Sequence, residues 1–210
     1  MIKILSIVGA SGHGKVIADI AEQLGFTINF YDDAYPNKTH IEHWLIHGTC
    51  ADLVSLNNAD ITLSHNVVVA IGNNDIRQQK IHQLQQNGFN LISLVHPNAI
   101  VSQYASIAPG TVVFAGAVIN AFATVGVGCI INTAAVVEHD CIIANFAHIC
   151  PNVALAGGVS VGSKSWIGIG TQVRQLIKIG DNCLIGAGST VVKNISNNVT
   201  AFGSPAVTRK

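Results

Sequence analysis

The sequence predicts two folds in succession: an α/β N-terminal domain of Rossmann type over residues 1–94, then a C-terminal left-handed parallel β-helix over residues 95–210. Three observations predict this. Strand-like apolar segments alternate with helix-like segments in the first half. A strict six-residue apolar period runs through the second half, and that period is absent before about residue 94. Alternating strands and helices imply a mostly parallel sheet covered by helices. A short self-similar repeat implies a solenoid whose units bury their apolar sides only by stacking.

In the first domain "IKILSIVG" reads as a buried strand, "GASGHG" as a loop and "KVIADIAEQLG" as a helix. "FTINFYDD" is a second strand, ending in Asp32 and Asp33. "NVVVAIGNN" is a third, followed by the polar helix "DIRQQKIHQLQQNG" and a last strand, "LISLV". Ligands of such sheets bind beyond the carboxyl ends of the strands, which selects Ser11, Gly12, His13, Asp32, Asp33, Gly72 and Asn73 as candidate binding residues. Gly9, Gly12 and Gly14 give G-x-x-G-x-G, not the G-x-G-x-x-G of dinucleotide cofactor sites, so the loop argues only weakly for NAD. Its glycines still let backbone N–H groups approach a pyrophosphate at the positive end of the next helix. The plainer alternative is a tight strand-to-helix turn.

In the second domain every sixth residue from Val95 to Val191 is Val, Ile or Leu, without a slip. The slot four residues after each is mostly small: Ala99, Ala105, Thr111, Ala117, Ala123, Cys129, Ala135, Cys141, Ala147. Both slots point inward only if the chain turns every six residues, three such segments making one triangular coil. Cys129, Cys141 and Cys183 occupy the small slot and read as packing groups. Cys50 and Cys150 lie outside it, neither with a base beside it.

Composition narrows the function. Lys+Arg and Asp+Glu both number 11, which gives no electrostatic footprint for nucleic acid. No apolar run reaches the roughly 18 residues of a membrane span, and "MIKILSIVGAS" lacks a signal-peptide cleavage pattern. Five cysteines without C-x-x-C pairing suggest a reduced, cytoplasmic protein with no metal site. With 49% hydrophobic and 10% charged residues, burial should extend to an oligomer interface. Closed threefold symmetry suits a triangular prism, so a homotrimer is expected.

The stretch "VVEHDCIIANFAHIC" interrupts this apolar background with Glu138, His139, Asp140 and His148. His139 falls two places after the inward Val137, and His148 one place before the inward Ile149. Neither takes an inward slot, so both should project from the prism surface. An imidazole titrates near neutral pH, and an adjacent carboxylate raises its basicity and fixes its tautomer. His139 with Asp140 is therefore the candidate catalytic pair.

The segments "GASGHGKV", "YDD", "AIGNN", "EHDCIIANFAHI" and "AFGSPAV", together with the six-residue repeat, resemble one family. It is the family of nucleotide-sugar acetyltransferases built on a left-handed β-helix, such as the N-acetyltransferase of UDP-4-amino-sugars in bacillosamine synthesis and the sialic-acid O-acetyltransferases. The resemblance implies acetyl-CoA as donor, a UDP-linked 4-amino-sugar as acceptor, and a role in glycan synthesis. It implies that Ser11, Gly12, His13, Asp32, Asp33 and Gly72 hold the nucleotide sugar. It also implies that His139 is the general base, tuned by Asp140 where the amino-sugar enzyme carries Glu, and that His148 contacts acetyl-CoA. "IGIGTQV" and "IGAGSTV" are one motif displaced by 18 residues, which stacks Ile169 on Ala187 between glycines, room for an extended pantetheine arm. Glycines that simply suit the turns are the alternative. Other acceptors, sialic acid or a GDP-linked amino sugar, fit the same fold. A zinc hydratase on such a solenoid needs three histidines, and this one offers His139 and His148, with His96 at its entrance. A non-catalytic solenoid would bind nucleotide but no coenzyme A.

Overall fold

The computed structural model describes residues 3–59 and 66–209 and divides at Leu94/Val95 into two compact units. In the first, β1 (Lys3–Val8) is the central strand of a sheet that also holds β2 (Phe26–Tyr31), β3 (His40–Ile41), β4 (Trp44–Gly48), β5 (Asn66–Val69) and β6 (Asn90–Leu91). The order is β3-β4-β2-β1-β5-β6, parallel apart from the β3–β4 pair. Leu5, Ile7, Val67 and Val68 are fully buried, as the continuous apolar runs of a sheet covered on both faces require. Helix α1 (Gly12–Gln23) buries Ile17, Ala18, Ile20 and Ala21, and α3 (Asn74–Gln86) buries Arg77, Ile81 and Leu84.

Three elements were not expected: β3, β4 and the helix α2 (Cys50–Ala59). β3 has only two residues, and in β4 Leu45 is exposed while Ile46 is buried, so neither produces a continuous apolar run. The expected strand "LISLV" is also two strands. Leu91 ends β6, and β7 (Leu94–Val95) belongs to the solenoid sheets.

The second unit is a stack of two-residue strands from β8 (Ile100–Val101) to β23 (Thr190–Val191), each paired in parallel with the strand 18 residues away. Pairing Val136 with Val118 and Ala154 fixes three faces, with successive coils about 4.7–4.9 Å apart. Val137, Ile143, Ile149 and Leu155 are at most 1% exposed, and Ala135, Cys141 and Ala147 fully buried, so both slots point inward. Farther along, Val153, Val159 and Ile177 fill the second slot, which therefore accepts larger groups than its first nine occupants suggest.

A second regularity sits at the corners. The third residue after each inward one is left-handed at every turn from Gly110 to Gly188. Glycine and asparagine adopt that conformation cheaply, but the series also includes Phe122, Asp140 and Leu176. At the far end β24 (Thr200–Phe202) continues a solenoid face and pairs with β25 (Val207–Arg209) in antiparallel fashion. The Arg209 guanidinium lies 5.4 Å over the Phe202 ring, and Ala206 N–H donates to the Thr190 carbonyl at 2.8 Å. This hairpin caps the stack, as a solenoid end requires.

Because Leu155 fills an inward slot without exposed surface, Leu155→Ala should lower unfolding free energy by about 2–5 kcal/mol in chemical denaturation. Lys178→Ala, on the outward position of a strand, should stay within about 0.5 kcal/mol of the parent.

Candidate active site

Two groups of candidates emerge, one in each unit. In the first unit, a cavity of about 320 Å³ opens at the carboxyl edge of the sheet, lined by Val8, Gly9, Ser11, Asp32, Asp33, Ala70, Ile71, Gly72, Ile76 and Lys80. Four expected residues, Ser11, Asp32, Asp33 and Gly72, thus share one cavity. Ser11 occupies the N-cap of α1 with its side chain making no capping bond, which leaves the hydroxyl available to a ligand. Gly9, at φ +110°, and Gly14 serve the turn itself, since a β-carbon on Gly14 would stand 2.4 Å from the Gly9 carbonyl oxygen. A β-carbon on Gly12 would meet nothing within 4 Å, so that glycine is not demanded by packing.

The two aspartates differ in what they do. Asp32 accepts from Ala10 N–H at 2.6 Å and from Ala34 N–H at 2.9 Å, which ties the glycine loop to the end of β2. Asp33 accepts from Lys80 Nζ at 2.7 Å and from Cys50 N–H at 3.1 Å, and the Lys80 bond holds its carboxyl below the usual range. Asn73 caps α3: its side-chain oxygen accepts from Asp75 N–H at 3.1 Å and Ile76 N–H at 3.0 Å. That occupation gives Asn73 a structural duty beside any ligand contact.

Burial, reinforced by the Arg77 charge, pushes His13 down to about 4. It is therefore neutral at pH 7 and offers a hydrogen bond, not a charge. The unfolded chain binds this proton near the ordinary histidine value of about 6.5 and the native one does not, so this group makes stability fall as pH drops from there to about 4. Arg77 is 1% exposed and donates to the carbonyls of Ile71 and Gly72 at 2.9 and 3.1 Å, fixing the loop that carries Gly72.

In the second unit His139 and Asp140 occupy the corner between β14 (Val136–Val137) and β15 (Ile142–Ile143). Asp140 is the left-handed residue of that corner, at φ +59°. His139 Nδ1 lies 2.7 Å from Asp140 Oδ2, and both side chains are 63% exposed. An ionised carboxylate only accepts, so Nδ1–H donates, and in the neutral ring Nε2 carries the lone pair. The bond to Asp140 raises the imidazole above the ordinary histidine range, and the Glu138 charge adds to this. Stability from this pair is therefore present below the ordinary histidine value and fades as pH rises through the folded one. Glu138 is held in turn by Asn120, whose side-chain N–H donates to it at 2.9 Å. Tyr104 and Phe122 stack at 5.4 Å in the corner column that leads to Asp140, both exposed.

His148 departs from expectation. It stands on the outward side of β16 (His148–Ile149), but does not project into solvent: it is only 8% exposed. Its Nε2 is 3.1 Å from Asn132 Nδ2, and the Trp166 ring meets it edge-on at 6.2 Å. The outward neighbours Val112 and Ile130 are buried too, so this part of the face is covered, and being outward does not mean being wet. Ile169 and Ala187 are exposed and stacked, Gly188 N–H donating to the Ile169 carbonyl at 2.8 Å. A hollow of about 480 Å³ lies on the face that joins this corner to that of His139, bordered by Val136, Glu138, Ala154, Gln172, Arg174 and Thr190, among others.

The cysteines are buried, and burial raises the Cys150 thiol to about 12, which suits packing and not nucleophilic attack. Among the described residues no group of three or more His, Cys, Asp or Glu is placed to hold a metal ion, and no helix is long and apolar enough to cross a membrane.

Sequence reasoning missed Lys80, Arg77, Asn120 and Gly157. A step of 18 residues finds two of them, since Asn120 precedes Glu138 and Gly157 follows His139 by that interval. Lys80 lies four residues after Ile76 on α3, so helical spacing brings both to the cavity.

Known proteins bear on both groups. The PglD N-terminal domain matches residues 4–84, and the bacterial transferase hexapeptide (six repeats) matches residues 158–193. UDP-N-acetylbacillosamine N-acetyltransferase of Bacillus subtilis is 38% identical over 117 residues, 54% of this chain and 52% of that protein. The match spans about half the length of that curated relative. PerB of Caulobacter crescentus, solved with CoA and GDP-perosamine, superposes with a TM-score of 0.93 at 35% identity, covering 100% of this chain and 99% of that one. The acetyltransferase domain of PglB from Neisseria gonorrhoeae, solved with acetyl coenzyme A, gives 0.93 at 37% identity, covering 100% of both.

Asp140→Asn should bring the His139 titration down toward the ordinary histidine range, read from imidazole NMR signals. A titration that does not move would show that the pair is not coupled in solution.

Proposed function

Because the chain belongs to the family of sugar N-acetyltransferases that includes PerB of Caulobacter crescentus and the acetyltransferase domain of PglB, we propose that it moves acetyl from acetyl-CoA to the amino group of a UDP-linked 4-amino-sugar. The observation that carries this reading is the exposed His139–Asp140 pair, with Nδ1 engaged by the carboxylate. The first unit holds the nucleotide sugar through Ser11, Gly12, His13, Asp32, Asp33, Gly72 and Asn73, with Lys80 completing the cavity. The solenoid carries the transfer.

The acceptor attacks as the neutral amine, and its nitrogen must shed one proton as it bonds to the carbonyl carbon. His139 Nε2 takes that proton, and the imidazolium so formed is stabilised by Asp140. The carbonyl oxygen gains negative charge, which calls for a hydrogen-bond donor, a backbone N–H of the next coil or His148. Collapse of the tetrahedral adduct breaks the C–S bond, and the departing thiolate takes up a proton as the amide forms. Acetyl-CoA is assigned to the exposed Ile169–Ala187 corner and to the small exposed edge of His148. His139 stands at the corner between β14 and β15 and His148 on the face that holds β16, which supports a site completed by a neighbouring chain in a homotrimer.

A GDP-linked amino sugar is the second reading, favoured by the likeness to PerB, which was solved with GDP-perosamine. Incubation of the protein with acetyl-CoA and a panel of UDP- and GDP-linked amino sugars, followed by thiol release, separates them. Turnover on the UDP substrate is expected, while turnover on the GDP substrate alone would establish the second reading. No turnover on any member would sink both. On the accepted substrate, His139→Ala should lower kcat by roughly 10²–10⁴-fold with little change in nucleotide-sugar affinity.

A further inference from the structure

Gly157 stands one coil beyond His139 in a corner column that runs Ala121, His139, Gly157, Gln175, Lys193 at 18-residue steps. Every other member of that column carries a side chain, so the corner itself does not require glycine. Nor does the backbone of Gly157, because the left-handed residue of its turn is the next one, Gly158, at φ +68°. The imidazole is what excludes a side chain here. A β-carbon on Gly157 would stand 2.6 Å from both Cε1 and Nε2 of His139 and 3.3 Å from Cδ2. Favourable contact between such atoms begins at about 3.5 Å.

The backbone around this contact has little room to yield. Gly158 N–H donates to the His139 carbonyl at 2.9 Å, and Leu176 N–H to the Gly157 carbonyl at 3.0 Å, so the coils are tied on both sides. The His139 ring, 63% exposed, is the mobile partner. The charged groups facing that ring are Asp140, bonded to Nδ1, and Glu138 beside it.

We propose that Gly157 is the positioning residue for His139. By carrying no side chain, it lets the imidazole rest against the next coil with Nδ1 on Asp140 and Nε2 toward the acceptor amine. Any β-carbon at 157 displaces the ring outward and breaks the bond to Asp140. The catalytic part of this inference rests on the general-base reading of His139, while the geometric part stands without it.

Gly157→Ala is the test, with Gln175→Ala of the same column as control; alanine keeps the N–H, so only the clearance changes. The His139 titration, followed by imidazole NMR, should shift down toward the ordinary histidine range in Gly157→Ala. Its kcat should fall roughly 10- to 100-fold with KM for both substrates little altered. Gln175→Ala should match the parent in both. A Gly157→Ala protein with the parent's His139 titration and kcat would overturn the proposal. If Gly157→Ala does not fold, the Gly157→Ala/His139→Ala double variant decides. Folding regained there identifies the imidazole as the obstructed group, and failure to fold contradicts the proposal. Because the titration needs no turnover, loss of the general-base reading through an active His139→Ala protein would leave this result separately readable.

Discussion

Everything functional in the second unit depends on one constraint, a turn every six residues that points two residues of each six inward. Val137 and Cys141 are both fully buried, so Glu138, His139 and Asp140 between them have no option but the corner. Apolar burial at about 25 cal/mol per Å² holds each inward pair, and parallel pairing at 18-residue steps locks each coil to the next. A side chain at a corner then finds its neighbours one coil away, in the same column. Asn120 supports Glu138 in this way, and Gly157 makes room for His139. The corner also sets the conformation of the carboxylate that tunes the imidazole. Asp140 sits in the left-handed region, where Asp and Asn are among the residues best tolerated. Sequence-adjacent residues can therefore share a hydrogen bond, 2.7 Å between Nδ1 and Oδ2, without a third element to bring them together.

The first unit achieves its site differently, through the carboxyl ends of neighbouring strands. Order β2-β1-β5 brings the loop after β1, the aspartates after β2 and the loop after β5 to one edge. Arg77, buried under that edge, fixes the Ile71–Gly72 carbonyls, and its charge joins burial in keeping His13 neutral. A cavity so arranged presents a helix N-terminus, one cation and two carboxylates at a single edge.

The solenoid was legible because its period is written in residue type: Val, Ile or Leu at every sixth place leaves the register no freedom. His139 and Asp140 followed from that register, since an outward corner in a charge-poor unit has few polar occupants. His148 shows where the argument stops. Register gave its side of the wall, but burial on that side depends on what covers Val112, Ile130 and His148 together, and no local pattern encodes that. β3, β4 and α2 escaped notice for a related reason: Ile41 and Ile46 are isolated, and the pair Cys50 and Leu53 in α2 is too short to set a period. Lys80 and Arg77 were hidden in a helix whose sequence reads as mostly polar, although one is half-buried in the cavity and the other wholly enclosed.

In the proposed reaction this register delivers the His139 imidazole, with Nδ1 held by Asp140, to the acceptor nitrogen. The most direct measurement is a crystal structure of the protein with coenzyme A and the accepted nucleotide-linked amino sugar bound. The sugar amine is expected within about 2.6–3.2 Å of His139 Nε2, directly or through one water, with Nδ1 still on Asp140. An amine seated away from the His139 corner, against another titratable group, would contradict it.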